Sequence, residues 1–253
     1  MGLLNIKNRF SALLCGCAFF LAAPLDAAQN TGVKGQSNCF GFCPVVLVQA
    51  GVASKRLEST VPSSGAQVIL LSDAALAVDA EMGIWRTKST LLSAVYSYEQ
   101  INWKIPAGAT ITSSASITHT ALLRFTGYPS RTGSLRLGAE LGWGQVPIAL
   151  ASGTSILSQT LSAPMVGIIA EYYLFTAMGL HFSVEMRASA HLFGSTPTDK
   201  YAFAPDIMEA LKITSKIGKL QVYASPFLRY QSSKSTACES SALSLGAKVG
   251  IGF

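Results

Sequence analysis

The chain has 253 residues, 49% hydrophobic and only 13% charged, with a formal net charge of +6. Ordinary soluble domains carry about 25% charged residues, so these apolar side chains need either a large core or lipid around them. The composition excludes a disordered chain. It also excludes a stand-alone nucleic-acid-binding domain, because no stretch runs more than two Lys or Arg together.

Residues 1–28 read as a secretory signal. Lys7 and Arg9 form a basic start, Ser11 to Ala23 is apolar or small, and small residues around Ala27 and Ala28 offer a cleavage site. The apolar run is shorter than the roughly 20 residues a membrane helix needs, and Pro24 and Asp26 close it. Lipidation at Cys17, which follows Leu14, Cys15 and Gly16, is the alternative. Residues 29–44 then form an exported N-terminal segment. Its Cys39 and Cys43 are expected to form a local disulfide, which an oxidising compartment permits.

From residue 45 onward the chain alternates with period two. Ten strands are expected, at 45–54, 74–86, 89–101, 115–127, 135–143, 162–175, 180–192, 206–215, 219–231 and 243–253. The clearest runs from Leu180 to Leu192. Leu180, Phe182, Val184 and Met186 share one parity, and His181, Ser183, Glu185 and Arg187 share the other. A helix cannot use that pattern. The apolar stretch Leu161–Gly179 is not read as a membrane helix, because it holds Pro164 and Glu171. Connections alternate in length: short turns at 86–89, 128–133, 175–178 and 216–218, and longer loops at 55–65, 102–112, 146–160, 194–205 and 232–241. Cys238 falls in the last of these loops.

Short turns at one end and long loops at the other predict an antiparallel up-and-down transmembrane β-barrel over residues 45–253. About 10 strands are expected, with 8 or 12 as alternatives, and both termini are expected on the same side. The apolar parity contains almost no charges, and aromatics such as Trp85, Tyr98, Trp103, Phe125, Tyr128, Trp143 and Phe253 gather near strand ends. Both features place lipid outside and the polar parity inside. A soluble barrel with the opposite polarity is the competing reading.

The signal, the alternating strands and the last strand resemble those of bacterial outer-membrane β-barrel proteins. In that class a terminal strand like Leu245, Ala247, Val249, Ile251 and Phe253 is similar to the signal that barrel-assembly machinery reads. The resemblance implies an outer-membrane location and outer-membrane lipid as a partner. It leaves the oligomeric state open.

The inward parity collects six acids (Asp79, Glu81, Glu99, Glu140, Glu171, Glu185) and six bases (Arg124, Arg136, Arg187, Lys212, Arg229, Lys248). Charges in so narrow a lumen need partners, so a salt-bridged network is expected, with Glu171 between Arg124 and Arg136. The same charges lining a narrow channel are the other reading. His181, Ser183 and Glu185 are spaced as an acyl-transfer triad would be, but they face the lumen near the short turns, and no catalytic residue is assigned. His191 is read as a rim residue, and His119 as facing the outer interface. No phosphate loop, dinucleotide fingerprint or metal-ligand spacing occurs, so no cofactor, metal or nucleic-acid partner is expected. The functional expectation is a non-enzymatic scaffold or narrow channel, with a lipid-modifying acyl hydrolase as the alternative.

Overall fold

The computed structural model describes residues 46–61, 64–87, 89–105, 110–111, 115–129, 134–152, 155–195, 200–234 and 238–253. The expected signal at 1–28, the segment 29–44 and the pair Cys39 and Cys43 lie outside the described residues. In chain order the strands are β1 (Val46–Thr60), β2 (Gln67–Arg86), β3 (Thr90–Asn102), the two-residue β4 (Thr110–Ile111) and β5 (Ala115–Gly127). They continue with β6 (Leu135–Ser152), β7 (Ser155–Ala177), β8 (Leu180–Ser195), β9 (Lys200–Ile217), β10 (Leu220–Lys234) and β11 (Glu239–Gly252).

The ten long strands pair antiparallel with their chain neighbours, and β1 pairs β11 from Leu47↔Gly252 to Thr60↔Glu239. The sheet therefore closes on itself and leaves no long edge open. Residues Val46 and Phe253 bond to each other through their backbones, so the strand ends meet at one rim, here called the terminal end. Two turns at that end show why they are tight. Met178 and Gly179 both have positive φ, as a two-residue hairpin of the I′ kind requires, and Gly218 takes the positive φ at the first position of its turn.

Side chains alternate as the period-two pattern requires. Along β5 every outward residue from Ala115 to Phe125 is exposed and every inward one from Ser116 to Thr126 is buried. The exposed set includes Ile117, Leu123 and Phe125, and the buried set includes Thr118, Thr120 and Arg124. Apolar outside and polar inside is the arrangement of a barrel surrounded by lipid.

The strands outrun their expected lengths. They span 13 to 23 residues, and most of the segments expected as loops at 55–65, 146–160, 194–205 and 232–241 are strand. The cause is a change of polarity with height. Towards the far rim, the hairpin end, several outward positions turn polar: Ser54, Arg56 and Glu58 on β1, Asn102 on β3, and Ser232 and Lys234 on β10. Ile69 and Leu71 on β2 and Phe203 on β9 stay apolar and exposed. Inward positions there turn apolar, giving a buried cluster that includes Leu57, Leu70, Ile101, Trp103, Ile156 and Phe227. A strand whose apolar parity switches sides no longer reads as one continuous alternation. Trp103 belongs to this cluster, donating to Ser116 Oγ at 2.7 Å, rather than to an interfacial belt.

The β6–β7 hairpin is the largest departure. β5 and β6 stay paired from Gly127↔Leu137 only as far as Thr120↔Gly144, although β5 continues to Ala115. Beyond Gly144 the hairpin bends inward across the mouth. Val146, Pro147, Ile148 and Ala149 are buried on both faces, and the backbone oxygen of Ala149 accepts from Ser59 Oγ on β1. Behind it, Ser158 on β7 lies 2.7 Å from Ser116 on β5. With both faces covered, polar and apolar residues have no reason to alternate, which is why a Ser- and Gly-rich stretch resembles a loop.

Candidate functional site

Inside the terminal half, ten strands of polar parity converge on a narrow lumen, and a carboxylate or cation there must find a partner. Each of the twelve charges assigned to the inward parity makes an ion pair. Two more join them. Lys55, whose segment reads as a loop, lies 2.8 Å from Glu99, and Asp206 lies 2.5 Å from Arg229. Among the described residues the lumen thus holds seven acids and seven bases.

They divide into three networks and a pair. Nearest the terminal end, Arg136 and Glu171 sit opposite each other on β6 and β7 at 3.3 Å. Glu171 in turn stands directly opposite Glu185 on β8, and Lys212 from β9 reaches both carboxylates. Without that ammonium, two like charges would face each other across a strand pair. Higher up, Arg124 bridges Glu81 and Glu140, each at 2.8 Å, and Arg187 closes on Glu140 at 2.5 Å. Arg124 therefore serves Glu81 and Glu140, not Glu171 as the strand depths suggest. Lys248 pairs with Asp79 at 2.5 Å and lies over the Phe227 ring. The uppermost network runs Lys55–Glu99–Arg229–Asp206, with Gln231 donating to Asp206 at 3.2 Å.

Arg124 and Glu140, and Arg136 and Glu171, are cross-strand partners, which register alone can reveal. Lys55–Glu99 and Arg124–Glu81 skip a strand, so only the curvature of the closed wall brings them together.

His191 is not a rim residue. It is fully buried beneath the bent hairpin, its Nδ1 lies 3.4 Å from the Ala204 oxygen, and a Cβ at position 144 would sit 2.5 Å from its Nε2. Glycine at 144 is thus what lets β6 leave the wall against this ring. His119 lies on the outer face, where Nδ1 is 2.7 Å from the Tyr96 hydroxyl.

The spacing His181, Ser183, Glu185 does not become a triad. Ser183 donates to Glu171 at 2.8 Å, His181 lies 2.9 Å from Thr176 Oγ1 at the exposed turn, and Glu185 is taken by Lys212. The imidazole of His181 and the hydroxyl of Ser183 thus serve different neighbours. Among the described residues, no group of His, Cys, Asp and Glu is placed to hold a metal ion.

No protein-family model and no curated protein sequence matches the chain. Solved structures do. The outer membrane protease OmpT from Escherichia coli superposes with a TM-score of 0.52, covering 86% of this chain and 99% of that one at 9% identity. The fold is that of a bacterial outer-membrane β-barrel. The translocator domain of the autotransporter NalP from Neisseria meningitidis also aligns, at 10% identity and a TM-score of 0.35, over 86% of this chain and 90% of that one. Neisserial surface protein A aligns at 9% identity and a TM-score of 0.30, over 81% and 96%. In this barrel the last strand presents Leu245, Val249, Ile251 and Phe253 outward and exposed, with Ala247 on the same parity.

Proposed function

We propose that this chain is a closed, non-enzymatic scaffold of the bacterial outer membrane, exported by a cleaved signal at 1–28, and not an open pore. One observation carries the reading: the β6–β7 hairpin is folded into the mouth above a lumen whose charges are already engaged. A conducting path would need unclaimed polar groups and a continuous wet passage, whereas here apolar residues close one half and ion pairs fill the other. The exposed aliphatic belt, including Leu141, Ile168, Leu245 and Val249, supports lipid as the surrounding partner. Barrel-assembly machinery is the partner that its last strand suits. A lipid-modifying enzyme is disfavoured because Ser183 and His181 serve different neighbours.

The test is conductance across a planar bilayer holding the refolded protein. The wild-type chain is expected to be silent, and a variant lacking residues 146–160 is expected to pass ions. Steady openings by the wild-type chain would overturn the closed reading and make the hairpin a gate.

A further inference from the structure

The β6–β7 hairpin is held to itself more than to the wall. β5 and β6 pair no further than Thr120↔Gly144, and β7 and β8 no further than Ser162↔Ser195. The two hairpin strands stay paired with each other from Gly144↔Ala163 to Ser152↔Ser155. An outward swing therefore keeps that ladder and breaks ties across the mouth. These include Ser59 to the Ala149 oxygen, Cys238 Sγ to the same oxygen at 3.4 Å, the two-residue pairing with β4, and the buried contacts of Val146 and Ile148.

His191 stands at the root of this hairpin. It is fully buried, and among the described residues nothing bonds its Nε2, which faces Gly144 where β6 leaves the wall. A neutral ring leaves that nitrogen as an unused acceptor. An imidazolium donates from both nitrogens, so Nε2–H would become a buried, charged donor with no acceptor. The surroundings oppose the charge as well. Asp206 on β9 attracts the ring, but Arg229 and Gln231 already donate to that carboxylate. Arg229 on β10 and Arg187 on β8 repel it. On β6, Glu140 stands one inward position closer to the terminal end and is held by Arg187 and by Arg124 of β5, while β7 places the uncharged Met165 opposite. We infer that His191 is an acid-sensing trigger for the hairpin: the plug is seated while the ring is neutral, and protonation swings it outward so that water reaches Nε2. This rests on the closed reading above as the state near neutral pH. The other two histidines do not lie beneath the hairpin, since the His119 ring is on the outer face and His181 is at the exposed terminal turn.

Cys238 reports the swing, because its thiol is fully buried against the Ala149 oxygen. The full-length folded barrel is treated with dithiodipyridine, which attacks thiols in acid as well as at neutral pH. Modification at Cys238 is read by peptide mass spectrometry, relative to the unfolded chain at the same pH. When only the swung form takes up the proton, each pH unit below the ordinary imidazole value of about 6.5 favours that form about ten-fold. Wild-type Cys238 is therefore expected to be protected at pH 7.5 and to react about 100-fold faster at pH 4.5, with bilayer conductance appearing over the same range. His191→Gln is expected to stay protected and silent at both pH values, with His191→Leu as the second neutral variant where the first does not fold. His119→Gln and His181→Gln are expected to respond as wild type does. Equal protection of wild-type Cys238 at both pH values overturns the inference and leaves the closed scaffold standing. So does an acid response that a folded neutral variant at position 191 retains, which would assign the sensing to the carboxylates. Conductance by the wild-type chain at pH 7.5 overturns the closed scaffold instead, a separate outcome.

Discussion

The terminal half and the hairpin half of this barrel are built from the same ten strands but differ in polarity. In the terminal half, aliphatic side chains point out and charges point in. In the hairpin half, Arg56, Glu58 and Lys234 point out while Leu57, Leu70 and Ile101 point in. In the proposed membrane setting, the medium outside each half accounts for the difference: lipid rewards an apolar exterior, and water rewards an apolar core. The cost lies in the lumen of the terminal half, where polar parity must be satisfied by internal pairing because neither lipid nor bulk water can do so.

Breaking the charged lumen should have the largest effect. Lys212→Met leaves Glu171 and Glu185 opposed with no ammonium between them, and loss of one partner from a buried set typically costs about 3–5 kcal/mol. Thermal unfolding in detergent measures this. Adding Glu185→Gln should restore much of the stability, and a double variant as unstable as Lys212→Met would show that the three are not coupled.

In the hairpin half the equivalent damage is a cavity. Leu57→Ala removes a fully buried side chain from the cluster beneath the hairpin, and about 3 kcal/mol of stability should go with it. If the half instead tolerates this change as a water-filled vestibule would, its core is not packed. The loss should be insensitive to salt, unlike that of Lys212→Met.

A charge on the outside tests where lipid begins and ends. Val249→Arg, at an exposed position in the terminal half, should cost about 2–3 kcal/mol and slow insertion, read by the shift in migration between folded and unfolded barrel on unheated gels. Asn102→Arg, exposed in the hairpin half, should leave that migration unchanged. Equal effects at the two sites would erase the contrast between the halves. The smallest effect is expected from Glu58→Gln, which breaks an exposed pair with Arg56 and should change stability by about 0–1 kcal/mol.

Much of this architecture is legible in the sequence. Strand count, the inward and outward parities and six acids against six bases follow from period two, because neighbouring residues on a strand must face different media. Cross-strand pairs such as Arg136 and Glu171 could in principle be found by aligning the strands from their turns. The hairpin plug could not. Val146, Pro147, Ile148 and Ala149 are buried on both faces, so the contrast that marks a strand disappears there. Lys55, His191 and Trp103 follow from the same feature, since each lies where the strands rise past the belt or beneath the bent hairpin, whereas Asp206 shares the parity of Lys212 on the expected strand 206–215. The sequence by itself determined a closed meander with an apolar exterior and a charged interior. Only the tertiary structure decided that the hairpin folds across the mouth and that Lys55 meets Glu99 and Arg124 meets Glu81, because those contacts join strands that are not neighbours and depend on the curvature of the closed wall.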